Sequence, residues 1–144
     1  MKRRAVIVGV DKYQHEDIVD LRHAVDDAYE LKAFFGALPG HCAFESVRVL
    51  REPTDAAVQK AVRESLDGLG AGDLFLFYFS GHGIQQRESK QHLLLCPEAH
   101  PEVLEYGTNG TVPHYFLDQQ AKKHACDFLL IFDACRNELL VSQL

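Results

Sequence analysis

An α/β architecture, a mostly parallel sheet with helices on both faces, is predicted by three observations. Strand-like and helix-like segments alternate along the chain. The strand-like segments are continuous apolar runs rather than alternating ones, as expected of strands covered on both faces. Two of these runs, Leu74 to Phe79 and Phe128 to Phe132, lead straight into polar segments that hold a histidine and a cysteine. That places reactive side chains at the carboxyl ends of strands, where open α/β sheets put their ligand sites.

The elements follow in order. Ala5 to Val10 is an apolar run and reads as the first strand. From Leu21 to Leu38 apolar residues fall at Leu21, Ala24, Val25, Ala28, Leu31, Phe34 and Phe35, the three-and-four spacing of an amphipathic helix. Pro39-Gly40 ends it. Ser46 to Leu50 is a short strand with Val47 and Val49 on one side. Thr54 is the predicted N-cap of a second helix and Asp55 suits its first turn. That helix is expected to run to about Leu69, with Gly68, Gly70 and Gly72 ending it. Leu74 to Phe79 is the third strand. Ile84 to Arg87 and His92 to Cys96 flank a polar tip and predict a small hairpin outside the main sheet. Pro97 to Pro113 reads as a long loop, of the kind that often carries function. Pro113 suits the first turn of a third helix running to about Ala125, with Thr111 as a cap. Cys126 to Phe132 is the fourth strand, and the expected sheet order is 2-1-3-4.

With 144 residues the chain is expected to form one domain with a real core. A net charge of −6 argues against nucleic acid as the main partner. No apolar run is long enough to span a bilayer, so no membrane association is expected. Met1-Lys2-Arg3-Arg4 is basic, but the apolar stretch after it is too short for the core of a signal peptide. The four cysteines, Cys42, Cys96, Cys126 and Cys135, form no CxxC pair and no disulfide framework. Reduced thiols and a cytoplasmic location are the expectation.

The chemistry concentrates in Phe79-Ser80-Gly81-His82-Gly83 and Ile131-Phe132-Asp133-Ala134-Cys135-Arg136. A thiol beside an imidazole is the minimal kit for nucleophilic acyl transfer. Cys135 is the candidate nucleophile and His82 its base, set in a glycine-flanked turn. The backbone amides of Gly83 and Cys135 are the natural donors to an oxyanion. Other constellations are weaker. His92 and Cys96 do not make a metal site on their own. The glycines from Gly68 to Gly72 precede a strand instead of linking strand to helix, so they form a turn and not a phosphate loop.

These motifs resemble those of the caspase-like cysteine peptidases, the superfamily of caspases, paracaspases, metacaspases and bacterial orthocaspases. Ser80-Gly81-His82-Gly83 is similar to the histidine motif and Asp133-Ala134-Cys135-Arg136 to the cysteine motif. The interval from His82 to Cys135 is close to the roughly 50 residues between the two in caspases. Val8-Gly9-Val10-Asp11-Lys12-Tyr13 resembles the first strand and its following tyrosine. Leu21-Arg22-His23-Ala24-Val25-Asp26-Asp27-Ala28 resembles the opening of the first helix. The likeness runs over nearly the whole chain and implies the three-layer caspase-like fold, with residues 1–144 as the large-subunit portion.

Caspases carry glutamine two residues before the nucleophile, whereas this chain has Asp133, as metacaspases and orthocaspases do. The resemblance implies that Asp133 and a second aspartate, Asp27, line the specificity pocket, with Asp26 competing for the second role. Two carboxylates attract a guanidinium or ammonium group, so cleavage after Arg or Lys is expected. Arg136-Asn137 is closer to caspases than to metacaspases. The resemblance also raises calcium dependence, with Asp11, Asp26 and Asp27 as nearby acids. No segment here has the spacing of a calcium loop, and no cofactor is expected otherwise.

The resemblance further implies a protein or peptide substrate, possible sensor or effector domains, and a role in regulated bacterial defence or cell death. In such folds two further strands follow the cysteine segment. The fourth strand is therefore expected to pair with a small subunit or a downstream segment of the same precursor. Two rival readings are an inactive caspase-like scaffold and a flavodoxin-like binding domain.

Overall fold

The computed structural model describes residues 1–101 and 107–136, with the backbone alone at 135 and 136. The described elements are β1 (Arg3–Gly9), α1 (Ala24–Gly36), β2 (Ser46–Arg51), α2 (Asp55–Leu66), β3 (Leu74–Gln85), β4 (His92–Leu95), β5 (Thr111–Pro113), α3 (His114–Lys123) and β6 (Asp127–Arg136). A 3-10 turn, Gly40–Cys42, follows Pro39, which lies beyond the end of α1.

β2, β1, β3 and β6 run parallel in that order. This is the expected 2-1-3-4 arrangement, β6 being the fourth strand of the sequence reading. The chain steps from β1 to β2 through α1, then back across β1 to β3 through α2. Right-handed crossovers in opposite directions put their helices on opposite faces, and the packing agrees. Ala5, Ile7 and Leu76 pack with Ala28 of α1, joined by Val47 and Val49 of β2. Val6, Val8, Phe75, Phe77 and Phe79 pack on the other face with Val58, Val62 and Leu66 of α2 and Phe116 and Leu117 of α3.

Local signals explain the helix bounds. Thr54 Oγ1 accepts from the amide of Ala57 at 3.1 Å, so α2 begins where its cap was expected. α1 begins at Ala24, not Leu21. Its N-cap, His23, offers no side-chain bond. Asp11 reaches in from the end of β1, and its carboxylate accepts from the amides of Ala24 at 2.8 Å and Val25 at 3.3 Å. Thr111 does not cap α3. Its hydroxyl donates to the carbonyl of Thr108 at 2.6 Å, and Pro113 holds the N-cap position.

Three further expectations are corrected. The hairpin is not outside the main sheet: β4 pairs antiparallel with the end of β3, and β5 with β4, all in one six-stranded sheet. The segment from Pro97 to Pro113 is accordingly not all loop, since β5 closes it. His82 is not in a turn either. β3 runs on through Gly81, His82 and Gly83, because β6 supplies ladder partners to all three and β4 pairs from Gly83 onward.

Candidate active site

The two reactive positions lie abreast. In the parallel ladder of β3 with β6, His82 is the register partner of Cys135, and Ser80 that of Asp133. Adjacent strands lie about 4.8 Å apart, so the backbone brings the two expected catalytic residues to neighbouring positions near the carboxyl end of the sheet. Backbone direction alternates along β3. The carbonyl of Ser80 accepts from Val10 on the β1 side, and the amide of His82 faces the same way. Gly83 therefore turns its amide toward β6, on the side of Cys135.

The imidazole is held from behind. Nε2 of His82 lies 2.7 Å from the carbonyl oxygen of Val19. A carbonyl can only accept, so Nε2 carries the proton and Nδ1 is left as the basic nitrogen. The ring is only 8% exposed and sits 5.0 Å, centroid to centroid, from that of Tyr13. Val19 lies in the segment between β1 and α1, which is tied at several points. Asp20 accepts from the amide of Tyr13 at 2.9 Å, and the carbonyl of Asp11 accepts from Leu21 at 2.7 Å. The carboxylate of Glu52 accepts from the amides of Asp11 and Lys12, each at 3.2 Å.

A second feature adjoins the first on the α1 face. An open pocket of ≈ 380 Å³ is lined by Asp27, Glu30, Leu31, Phe34, Tyr78 and Asp133. It brings together the two aspartates expected to share a specificity pocket, while Asp26 does not line it. The Tyr78 hydroxyl donates weakly to Asp133 Oδ2 at 3.4 Å. Burial pushes the Tyr78 phenol up, and the negative charges of Asp133 and Asp27 push the same way. Glu30 adds a third carboxylate that the sequence reading did not single out. Its signal was its position three residues after Asp27, on the same helix face.

The remaining thiols are placed differently. Burial raises the Cys96 and Cys126 thiols above their ordinary range, which suppresses the nucleophilic thiolate. His92 does not pair with Cys96 as a metal site. It lines a separate pocket of ≈ 270 Å³ with His114, Phe132 and Leu94. Among the described residues no cluster of three or more His, Cys, Asp or Glu is arranged to hold a metal ion. Asp11, considered with Asp26 and Asp27 for calcium, is committed to the amides that open α1. Among the described residues no helix is long and apolar enough to cross a membrane.

The chain and its fold resemble known proteins. The family described as the caspase domain matches residues 2–143. The chain is 27% identical over 157 residues to Metacaspase-3 of Arabidopsis thaliana, a match that spans 94% of this chain and 40% of that protein. A crystal structure of a structural-genomics protein from Geobacter sulfurreducens superposes with a TM-score of 0.75 at 20% identity, covering 99% of this chain and 54% of the other. That likeness establishes the fold alone. The chain thus spans about half or less of the length of these relatives.

Proposed function

This chain belongs to the caspase-domain family of cysteine peptidases, and on that premise we propose that it is the catalytic portion of an endopeptidase that cuts proteins after Arg or Lys. The observation that carries the reading is the pairing of His82 with Cys135 across β3 and β6, with the imidazole fixed by the Val19 carbonyl. With Nε2–H bonded to Val19, Nδ1 takes the proton of the Cys135 thiol. The thiolate attacks the scissile carbonyl, and the amides of Gly83 and Cys135 donate to the resulting oxyanion. Both amides belong to the β3–β6 ladder, so the last rungs open as the substrate carbonyl takes their place. The imidazolium returns its proton to the leaving amine, and water hydrolyses the thioester by the same base.

The open pocket supports the specificity. Asp27 and Asp133 flank it, and Glu30 adds to its negative field. A guanidinium satisfies two carboxylates with paired, charge-assisted hydrogen bonds, and an ammonium does so less completely. Further parts of the reading rest on the family. A small subunit or downstream segment pairs beside β6 and completes the cleft, and the peptidase serves regulated defence or cell death in the cytoplasm.

Peptide-library profiling of the full-length protein tests this. Cleavage after Arg or Lys is expected, and Cys135→Ala or His82→Ala should each lower turnover on the order of 10³-fold or more. Wild-type turnover in Cys135→Ala would overturn the nucleophile assignment. A preference for Asp or Leu before the cut would overturn the pocket assignment.

A further inference from the structure

We infer that Tyr13 is a positioning residue for the catalytic histidine, its hydroxyl inserted into a β-ladder rung so as to hold His82 at a set distance from β4. The register makes the case. β3 and β4 pair as Gly83 with Leu94, Ile84 with Leu93 and Gln85 with His92. The next rung in that series is His82 with Leu95, but these two are not ladder partners. Instead the His82 amide donates to the Tyr13 hydroxyl at 2.8 Å, and that hydroxyl lies 3.3 Å from the Leu95 carbonyl, to which it donates. One phenol oxygen replaces one direct N–H···O=C bond, and the two strands are wedged apart at the catalytic residue.

Two neighbouring facts fit this role. The position lies in a gap on one side of β3. The β1 ladder ends at the pair Gly9 and Ser80, and the β4 ladder starts at Gly83. Without the phenol, the His82 amide and the Leu95 carbonyl would lack a partner in a buried place. Space for the hydroxyl comes from Gly81, where an added Cβ would lie 3.0 Å from the Tyr13 oxygen and 2.9 Å from the Phe79 ring. The glycine before His82 thus makes room for the wedge. Burial raises the Tyr13 phenol well above its ordinary range, so it stays protonated and able to donate to Leu95.

The consequence is specific. Removing the oxygen lets β4 close on His82 or leaves both groups unpaired. Either result moves the imidazole relative to the Val19 carbonyl and Cys135, and catalysis is sensitive to such displacements. The inference rests on His82 being the base, as proposed above. In the full-length protein, Tyr13→Phe should lower kcat on the order of 10- to 100-fold. KM for an Arg peptide should stay within about twofold, since the acidic pocket is untouched. The pH midpoint for alkylation of Cys135 by iodoacetamide should rise, because the imidazolium no longer pairs as well with the thiolate.

Gly81→Ala, which crowds the phenol without removing it, should shift kcat and the midpoint in the same direction. In the Tyr13→Phe background its effect on kcat and the midpoint should shrink, because the oxygen it crowds is gone and only the contact with the Phe79 ring remains. A folded Tyr13→Phe protein with unchanged kcat and alkylation midpoint overturns the inference, even if its melting temperature falls. Strict additivity of the two substitutions overturns it as well. If Tyr13→Phe does not fold, Gly81→Ala alone decides, and an unchanged alkylation profile overturns the inference. His82→Ala in the same assays separates the two levels. Retained activity there removes the catalytic reading itself, whereas loss of activity there beside a normal Tyr13→Phe removes only the role of Tyr13.

Discussion

β1 and β6 flank the central strand β3 in the same parallel sense, and both are rich in large apolar residues, yet they live in different surroundings. Ala5, Val6, Ile7 and Val8 of β1 are fully buried, between β2 and β3 in the sheet and between α1 and α2 across it. On β6, Leu129 remains 45% exposed and Ile131 38%, while Phe128, Leu130 and Phe132 on the other face are partly covered by the main core. β3 shields one edge of β6, and among the described residues no strand pairs with its other edge. The difference teaches that apolar content reports which segments are strands, while the neighbours decide what their side chains contribute. β1 holds the fold together; β6 brings Asp133 and Cys135 to the site.

Substitutions on the two strands test that contrast. Ile7→Ala empties a fully buried position on β1 and should cost about 2–5 kcal/mol in chemical denaturation. A cost below about 1 kcal/mol would show that β1 is not the mechanical centre described here. Gly9→Ala should have a smaller effect, about 1–3 kcal/mol. Its new Cβ would lie 2.8 Å from the carbonyl oxygen of Ala24 and 2.9 Å from the Cα of Val25, main-chain atoms that yield only if α1 moves. Equal midpoints for the variant and the parent would show that α1 does yield. Ile131→Ser on β6 should change stability least, within about 0.5 kcal/mol in the 144-residue chain. In the full-length protein the same change should cost more, if a further segment packs on β6 as proposed. Equal small costs in both would argue that this face stays uncovered.

Much of the fold was readable because local chemistry and global packing agreed. Thr54 was a cap by residue type and is one by geometry. The apolar runs were strands, and the intervals between them set the order of the parallel pairs. What stayed hidden depends on distant partners. Glycines at 81 and 83 argue for a turn in isolation, but the β6 ladder runs past both and β4 joins at Gly83, so β3 stays extended through them. The start of α1 is hidden in the sequence because the carboxylate that holds its first amides, that of Asp11, comes from the far side of a loop. β5 is only three residues long and has no pattern of its own.

The site divides in the same way. The candidate residues His82, Cys135, Asp27 and Asp133 stand out in the sequence because their side chains are of recognisable type and context; the structure sets His82 beside Cys135 in one ladder and Asp27 with Asp133 along one pocket. The group that orients His82 is a main-chain carbonyl of Val19, which any residue could supply and no sequence pattern marks. Tyr13 could be seen as part of a motif, but its place inside a ladder rung follows only from the register of β3 with β4.

Glu52 gives the loop before α1 a further property. It holds a left-handed backbone conformation, φ 49°, that non-glycine residues seldom adopt, and its carboxylate binds the amides of residues 11 and 12. Asp11 in turn binds the first amides of α1. The loop that carries Tyr13 and Val19 is thereby laced to the end of β2 and to the start of α1, so its bonded amides are expected to exchange with solvent more slowly than those of an untied loop. On the proposed reading, this segment would have little ordering entropy left to lose when a peptide binds, and the histidine it braces would already be in place.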